Sequence, residues 1–312
     1  METLMAIQDL QWRARTVVDG LNNGMHRSPL HGFSVEFSEY RPFSEGDDPR
    51  SIDWKLYARS DRYYIKKFED ETNRRCYLVV DQSKSMEYRS IAYSKLDYAR
   101  TLAATLAFHL SQQRDAVGMV TFDSEIADVL TARFRTGQLK RLLSLLERKP
   151  SGDRTDLRGP LSQVAELVRQ RSLMIVISDF LVPPEELRVP LGYLAARKHE
   201  VVLLRILDPN EIDFNGSRPV MIRDVESGAE KFVDPQSIAG SYRRRFSEHE
   251  SILRGVVEPL GIAYHVMRTD TPLDASLVEF LGNRNRGAAM SGSNSARSSG
   301  NTAKTTIGAA SP

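Results

Sequence analysis

From Tyr77 onward the chain alternates short apolar runs of β character with stretches whose apolar residues recur every three or four positions, and few folds accommodate that alternation. The runs are Tyr77 to Val80, Ala116 to Phe122, Leu173 to Ile177, Val201 to Leu207 and Ile262 to Val266. Between them, Leu96, Ala99, Ala103, Leu106 and Leu110 fall on one face of a helix, as do Leu157, Leu161, Val164 and Val168 in a second. Leu187, Leu191 and Leu194 make a third stripe, and Tyr242, Phe246, His249, Leu253 and Val256 a fourth. Strands separated by helices of this length cannot pair as hairpins, so the sheet they build is mostly parallel and needs helices on both faces. The pattern predicts a doubly wound α/β domain.

The first 76 residues read differently. A helix is predicted near Leu4 to Leu21, then Phe33, Val35 and Phe37 alternate, and a second β-like run covers Arg62 to Phe68. A polar block separates the two runs, so a hairpin or small β extension packed on the α/β body is expected. Beyond residue 282 the composition turns to Ser, Gly, Ala and Asn, too poor in large apolar groups to offset ordering entropy, and a disordered tail over 283–312 is expected. The division is therefore an extension over 1–76, a domain over 77–282 and the tail. That tail carries Arg284, Arg286, Arg297 and Lys304 and no acid, so the net +2 of the whole chain leaves the remainder acidic. A basic nucleic-acid-binding body is not what this charge describes, and no nucleic-acid partner is expected.

A single cysteine, Cys76, excludes an intramolecular disulfide and any cysteine-built zinc or iron–sulfur centre, which fits a reducing compartment. The longest apolar runs are about five residues, where a membrane helix needs ~20, and the N-terminus has no basic leader. No membrane span and a cytoplasmic location are expected.

The first core strand runs out into Asp81-Gln82-Ser83-Lys84-Ser85, placing a carboxylate and two hydroxyls in alternation where the chain leaves the sheet. Ligands of open parallel sheets bind beyond the carboxyl ends of the strands, and oxygen donors curled around one point suit a small hard cation. Two more donors are placed compatibly: Asp179, after the strand Leu173 to Ile177, and Thr155, in the loop Gly152 to Asp156 before a helix. Each residue alone is also an ordinary cap or turn former, the reading preferred for Asp123 and Asp156. The combination of D-x-S-x-S, a loop threonine and a strand-end aspartate resembles the metal-ion-dependent adhesion site of von Willebrand factor type A domains. That resemblance, over about Tyr77 to Gly282, implies that Asp81, Ser83, Ser85, Thr155 and Asp179 hold Mg²⁺ or Mn²⁺, and that an acidic side chain from a protein partner completes the shell.

A second signature precedes the domain: Tyr40-Arg41-Pro42-Phe43, Gly46-Asp47-Asp48-Pro49-Arg50-Ser51-Ile52-Asp53-Trp54, then Ala58-Arg59. It closely resembles the bacterial domain-of-unknown-function family 58, over about residues 28 to 282. The resemblance implies a von Willebrand type A-like fold and, as partner, a MoxR-type AAA+ ATPase or its client. Many members carry transmembrane segments, so this chain reads as one of the short ones. Read from the residues themselves, Gly46 to Pro49 is a turn. Arg41, Asp47, Asp48, Arg50, Asp53 and Arg59 then form either a network latching the extension to the body, with Trp54 as buried anchor, or a partner surface.

The six histidines show no H-x-x-x-H or H-E-x-x-H grouping and read as structural. Arg243-Arg244-Arg245 lies off the apolar stripe of its helix and faces solvent. The leading expectation is thus a non-enzymatic, metal-dependent protein-binding adaptor. The alternative is an Mg²⁺-dependent phosphohydrolase with Asp81 as nucleophile, but position 83 holds serine where a second acid would protonate the leaving group. A P-loop and a G-x-S-x-G elbow are both absent from the sequence.

Overall fold

The computed structural model describes residues 1–27, 37–44, 52, 54–60, 62–68, 74–148, 156–214, 220–223 and 230–280. The chain opens with α1 (Glu2–Met5) and α2 (Leu10–Arg27), followed by β1 (Phe37–Pro42), α3 (Trp54–Ser60) and β2 (Tyr64–Phe68). The central part runs β3 (Arg75–Asp81), α4 (Lys95–Gln112), β4 (Ala116–Phe122), β5 (Ile126–Arg133), α5 (Gln138–Leu146), α6 (Arg158–Leu167), β6 (Leu173–Ser178), α7 (Pro184–Ala196) and β7 (Glu200–Leu207). It closes with α8 (Pro209–Asp213), β8 (Val220–Arg223), β9 (Glu230–Val233), α9 (Pro235–Val257), β10 (Ala263–Arg268) and a helix over 273–280, α10.

Six strands form one sheet in the order β10-β7-β6-β3-β4-β5, parallel throughout except for β5, which runs antiparallel to β4. Counted from β3, the topology is doubly wound, as the alternation predicts, and the direction of winding reverses between β3 and β6. Side-chain alternation splits the sheet into two cores. On β3 and β6, Cys76, Leu78, Val80, Ile175 and Ile177 pack toward α2, α4 and α5, whereas Tyr77, Val79, Met174 and Val176 pack toward α6, α7 and α9. Cys76, on this central strand, is buried.

The N-terminal helix differs from its expected span. Asp9 accepts from the Trp12 N–H at 2.8 Å and so starts α2 at Leu10, separate from α1. Leu10, Ala14, Val17 and Leu21 of α2 join the core beside α4, tied by Arg13 Nη1 donating to Thr101 Oγ1 at 3.1 Å. β1 and β2 pair antiparallel, the second where the run Arg62 to Phe68 was expected, but β1 begins only at the last residue of the alternating Phe33, Val35 and Phe37 run, of which Phe33 and Val35 lie outside the described residues. The β4–β5 hairpin was not foreseen. Its turn is closed by Asp123, whose Oδ1 accepts from the Glu125 N–H at 3.1 Å, the turn-forming role expected of that residue. Gln138 Nε2 donates to the carbonyls of Val117 and Thr131, at 2.9 and 3.0 Å, where the hairpin register shifts. Among the described residues no helix is long and apolar enough to cross a membrane.

Candidate functional site

Because winding reverses between β3 and β6, the chain leaves these two strands toward opposite faces, and their carboxyl ends mark the place where open parallel sheets form a binding crevice. Asp81 ends β3, Ser178 ends β6, and Asp179 follows it; all three are fully buried. The two-residue alternation decides what each meets. Asp81 and Ser178 share the face of Val79 and Val176, and there Ser178 Oγ donates to Asp81 Oδ2 at 2.5 Å. The other carboxylate oxygen of Asp81 accepts from the Ser83 N–H at 2.8 Å, which turns the motif back on itself. Ser83 Oγ and Ser85 Oγ then lie 3.1 Å apart.

Asp179 turns the opposite way, toward α4. Its Oδ2 accepts from Lys95 Nζ at 2.8 Å and its Oδ1 from the Leu181 N–H at 3.2 Å. Phe180, buried between them, adopts φ of 51°, a left-handed conformation that is costly for a bulky residue. Its N–H is held by Ser178 Oγ at 3.1 Å, so the strained residue is fixed by the same serine that holds Asp81. The Asp179 carbonyl accepts from Arg205 Nε at 2.9 Å. Arg205, wholly buried on β7, also donates to Glu250 Oε2 at 2.6 Å, meets His249 Nδ1 at 3.3 Å and lies over the Phe246 ring.

The charges are unevenly matched. Lys95 is fully buried and bridges Asp179 and Glu211, reaching Glu211 Oε1 at 2.6 Å. Burial alone would pull its ammonium down, but Asp179 and Glu211 outweigh it and leave its pKa raised, so the lysine is charged. Among the described residues no lysine or arginine forms an ion pair with Asp81. Burial, and then the neighbouring Asp179, push its carboxyl up to about 7.

These observations bear on whether a divalent ion suits the site. The Ser83 and Ser85 hydroxyls hydrogen-bond to each other at 3.1 Å, and the same separation suits cis ligands of an octahedral Mg²⁺, which at ~2.1 Å lie about 3 Å from one another. Among the described residues Asp81 has no cationic partner, and the hydrogen bonds it accepts come from neutral donors, the Ser83 amide and the Ser178 hydroxyl. Among the described residues no three of His, Cys, Asp and Glu cluster as a metal site, so the donor set is two carboxylates with hydroxyls. The set fits a hard cation at Asp81, Ser83 and Ser85, with Asp179 partly engaged by Lys95.

Of the residues expected at the site, Asp81, Ser83, Ser85 and Asp179 occupy the strand ends on either side of this crevice. Thr155 lies outside the described residues, as do Asp47, Asp48, Arg50, Asp53 and the tail over 283–312. Arg41 belongs to β1, its side chain outside the described set. Trp54 corrects an expectation: it is 60% exposed, not a buried anchor, and packs edge-on against Tyr57, which stacks on Tyr63. Arg59, at the end of α3, is exposed.

The histidines are structural where described. His199 bonds the Ser172 N–H and the Val168 carbonyl, and His249 the Val182 carbonyl. Asp156 accepts from the Arg158 N–H at 2.8 Å, as a cap does. Sequence reasoning missed Ser178, Lys95, Glu211 and Arg205. The signal for Arg205 was present, a lone charge within an apolar strand run.

The fold and the strand-end residues together define an α/β protein of the von Willebrand factor type A-like kind. The chain belongs to the family described as protein of unknown function DUF58, whose model matches residues 39–252. An uncharacterized protein of Mycobacterium tuberculosis is 29% identical over 290 residues, 91% of this chain and 90% of that one. Among solved structures, it is similar to the conserved hypothetical protein BatB from Bacteroides thetaiotaomicron, at 14% identity and a TM-score of 0.42 over 69% of this chain and 99% of that one. It is similar also to the SpRpn10 VWA domain, at 10% identity and a TM-score of 0.40 over 66% and 94%.

Proposed function

We propose that this chain is a non-enzymatic, protein-binding adaptor whose crevice between β3 and β6 takes a divalent cation, Mg²⁺ or Mn²⁺, and through it an acidic side chain of a partner. The observation that carries the reading is Asp81: fully buried, without a cationic partner among the described residues, and set beside two hydroxyls at ligand spacing. When bound, the ion would supply an open coordination position for a carboxylate. The chain's own residues do the rest. The Ser83 N–H and Ser178 hydroxyl orient the Asp81 carboxylate, Arg205 and Ser178 fix the turn that carries Asp179, and Ser83 and Ser85 carry their hydroxyls on the turn that follows β3. Thr155 is assigned the remaining ligand position.

Family membership directs the choice of partner to a MoxR-type AAA+ ATPase or a complex that it assembles, in the cytoplasm. The block Gly46 to Arg59, with exposed Trp54 and Arg59, is assigned as a second contact surface or as a latch. The phosphohydrolase reading stays second to the adaptor, since position 83 holds a serine and supplies no second acid to protonate a leaving group.

The test is affinity capture from a bacterial lysate with tagged wild type in Mg²⁺, wild type in EDTA, and Asp81→Ala in Mg²⁺. An AAA+ ATPase retained by the first alone supports the reading. The same proteins retained in all three would place the contact elsewhere and overturn it.

A further inference from the structure

We propose that Lys95 is a resident counter-cation of the site, which sets how strongly the crevice takes a divalent ion by holding Asp179 against Glu211. The inference deepens the metal reading above and rests on it.

Nothing local asks for a lysine there. Lys95 is the first residue of α4, directly after the Ser94 cap, and Ser94 and Asp97 already satisfy one another through a capping box. A helix N-terminus carries partial positive charge and disfavours an ammonium in the first turn. Burial disfavours it more strongly. Both penalties are offset chiefly by the two carboxylates, 2.8 and 2.6 Å away on residues 84 and 116 positions further along the chain, with the Tyr88 ring 5.8 Å from the ammonium. The lysine is therefore placed by the site.

Its position is asymmetric. Lys95 neutralises Asp179 and leaves Asp81 alone, so the same pocket contains one acid with a partner and one without. An ion held by both aspartates has to share Asp179 with the ammonium or take it over. In the second case Lys95 is left to Glu211, and that shift has somewhere to go. Glu211 Oε2 accepts from the Asp208 N–H at 2.9 Å, and its carbonyl accepts from Tyr242 of α9 at 2.7 Å. Asp208 in turn binds Ser90, through both the amide and the hydroxyl, in the loop that follows the D-x-S-x-S motif. Asn210 Nδ2 donates to Tyr88 Oη at 3.0 Å in the same loop. Lys95 thus joins the ion site to α8, α9 and the crevice rim through one chain of bonds.

The experiment is calorimetric titration of the full, EDTA-stripped chain with MgCl₂ and MnCl₂, for wild type, Lys95→Met, Glu211→Gln and Arg89→Met, each checked for native circular dichroism. Removing the competitor in Lys95→Met should tighten ion binding by about tenfold or more. Glu211→Gln leaves the ammonium to Asp179 alone and should weaken it. Arg89→Met removes an exposed cation of the same loop and should change little. Binding by Lys95→Met but not by wild type supports the counter-cation and removes metal-dependent capture from the resting protein. Equal binding by wild type and Lys95→Met, or an equal gain in Arg89→Met, overturns the counter-cation and leaves the metal reading standing. Binding by none of the four overturns both. Should Lys95→Met fail to fold, Glu211→Gln decides, and unchanged or tighter binding there overturns the inference.

Discussion

Arg205→Met removes one of the largest fully buried side chains among the described residues and replaces it with one of similar length. The guanidinium makes a 2.6 Å ion pair with Glu250, donates to the Asp179 carbonyl at 2.9 Å, and meets His249 at 3.3 Å. Breaking a buried ion pair from one side costs about 3–5 kcal/mol, because the remaining charge is left without compensation. Here the low end applies: Glu250 is 22% exposed and keeps Arg254, at 2.8 Å, and the Tyr264 hydroxyl, at 2.6 Å. A loss of about 3 kcal/mol corresponds to a fall of about 6–12 °C in Tm for a domain of this size. Urea unfolding of wild type, Arg205→Met, Glu250→Gln and the double variant measures both the loss and the coupling between the two residues. A loss below about 1 kcal/mol, the range of an exposed surface pair, would falsify the argument that burial makes this arginine structural. Arg205→Lys should fall between, since it keeps the charge but cannot reach three acceptors with a planar fork.

Two further outcomes follow from the geometry. A Cβ at Gly118 would fall 2.6 Å from the Ala132 nitrogen and 2.7 Å from the Leu130 carbonyl oxygen and Tyr77 Cε1. Gly118→Ala should therefore cost about 1–3 kcal/mol by overpacking at the β4–β5 bulge, read as a lowered urea midpoint; an unchanged midpoint would mean that β5 moves aside freely. Asp81, raised from 3.8 to about 7 in the fold, contributes stability that is full below 3.8 and is lost as pH rises through 7. In EDTA, wild type should lose stability relative to Asp81→Asn between about pH 4 and pH 7. Over the same window its Mg²⁺ affinity should rise, because the ion takes the ionised carboxylate. A pH-independent Mg²⁺ affinity would refute that protonation state.

What could be read from residues alone divides along a physical line. The strands β4, β6 and β7 are apolar runs rich in β-branched residues and β3 is a short apolar run, so their signal survives without context. β5 carries one buried residue in two only toward its end, and its turn at Asp123 contains no glycine, so neither periodicity nor turn chemistry marked it. Asp81, Ser83 and Asp179 were legible because each sits at a strand end, where position follows from local pattern. Lys95 was not, since what fixes it are partners 84 and 116 residues away in sequence, and Arg205 showed only as a lone charge in an apolar run, its partner Glu250 lying 45 residues on. Trp54 failed in the opposite sense. A large aromatic beside a charged turn was read as an anchor, and its 60% exposure leaves it available to another surface.

The lone thiol at the start of the central strand has a practical consequence. Cys76 sits between β4 and β6 with 1% exposure, and the chain has no second cysteine to complicate its chemistry. A disulfide reagent too large to enter the sheet can label it only when β3 separates from its neighbours. With reclosing fast relative to labelling, the rate then reports the free energy of opening at the middle of the fold, under native conditions and without an added probe. Adding Mg²⁺ and measuring the change would tell how far the crevice and the sheet beneath it open as one unit.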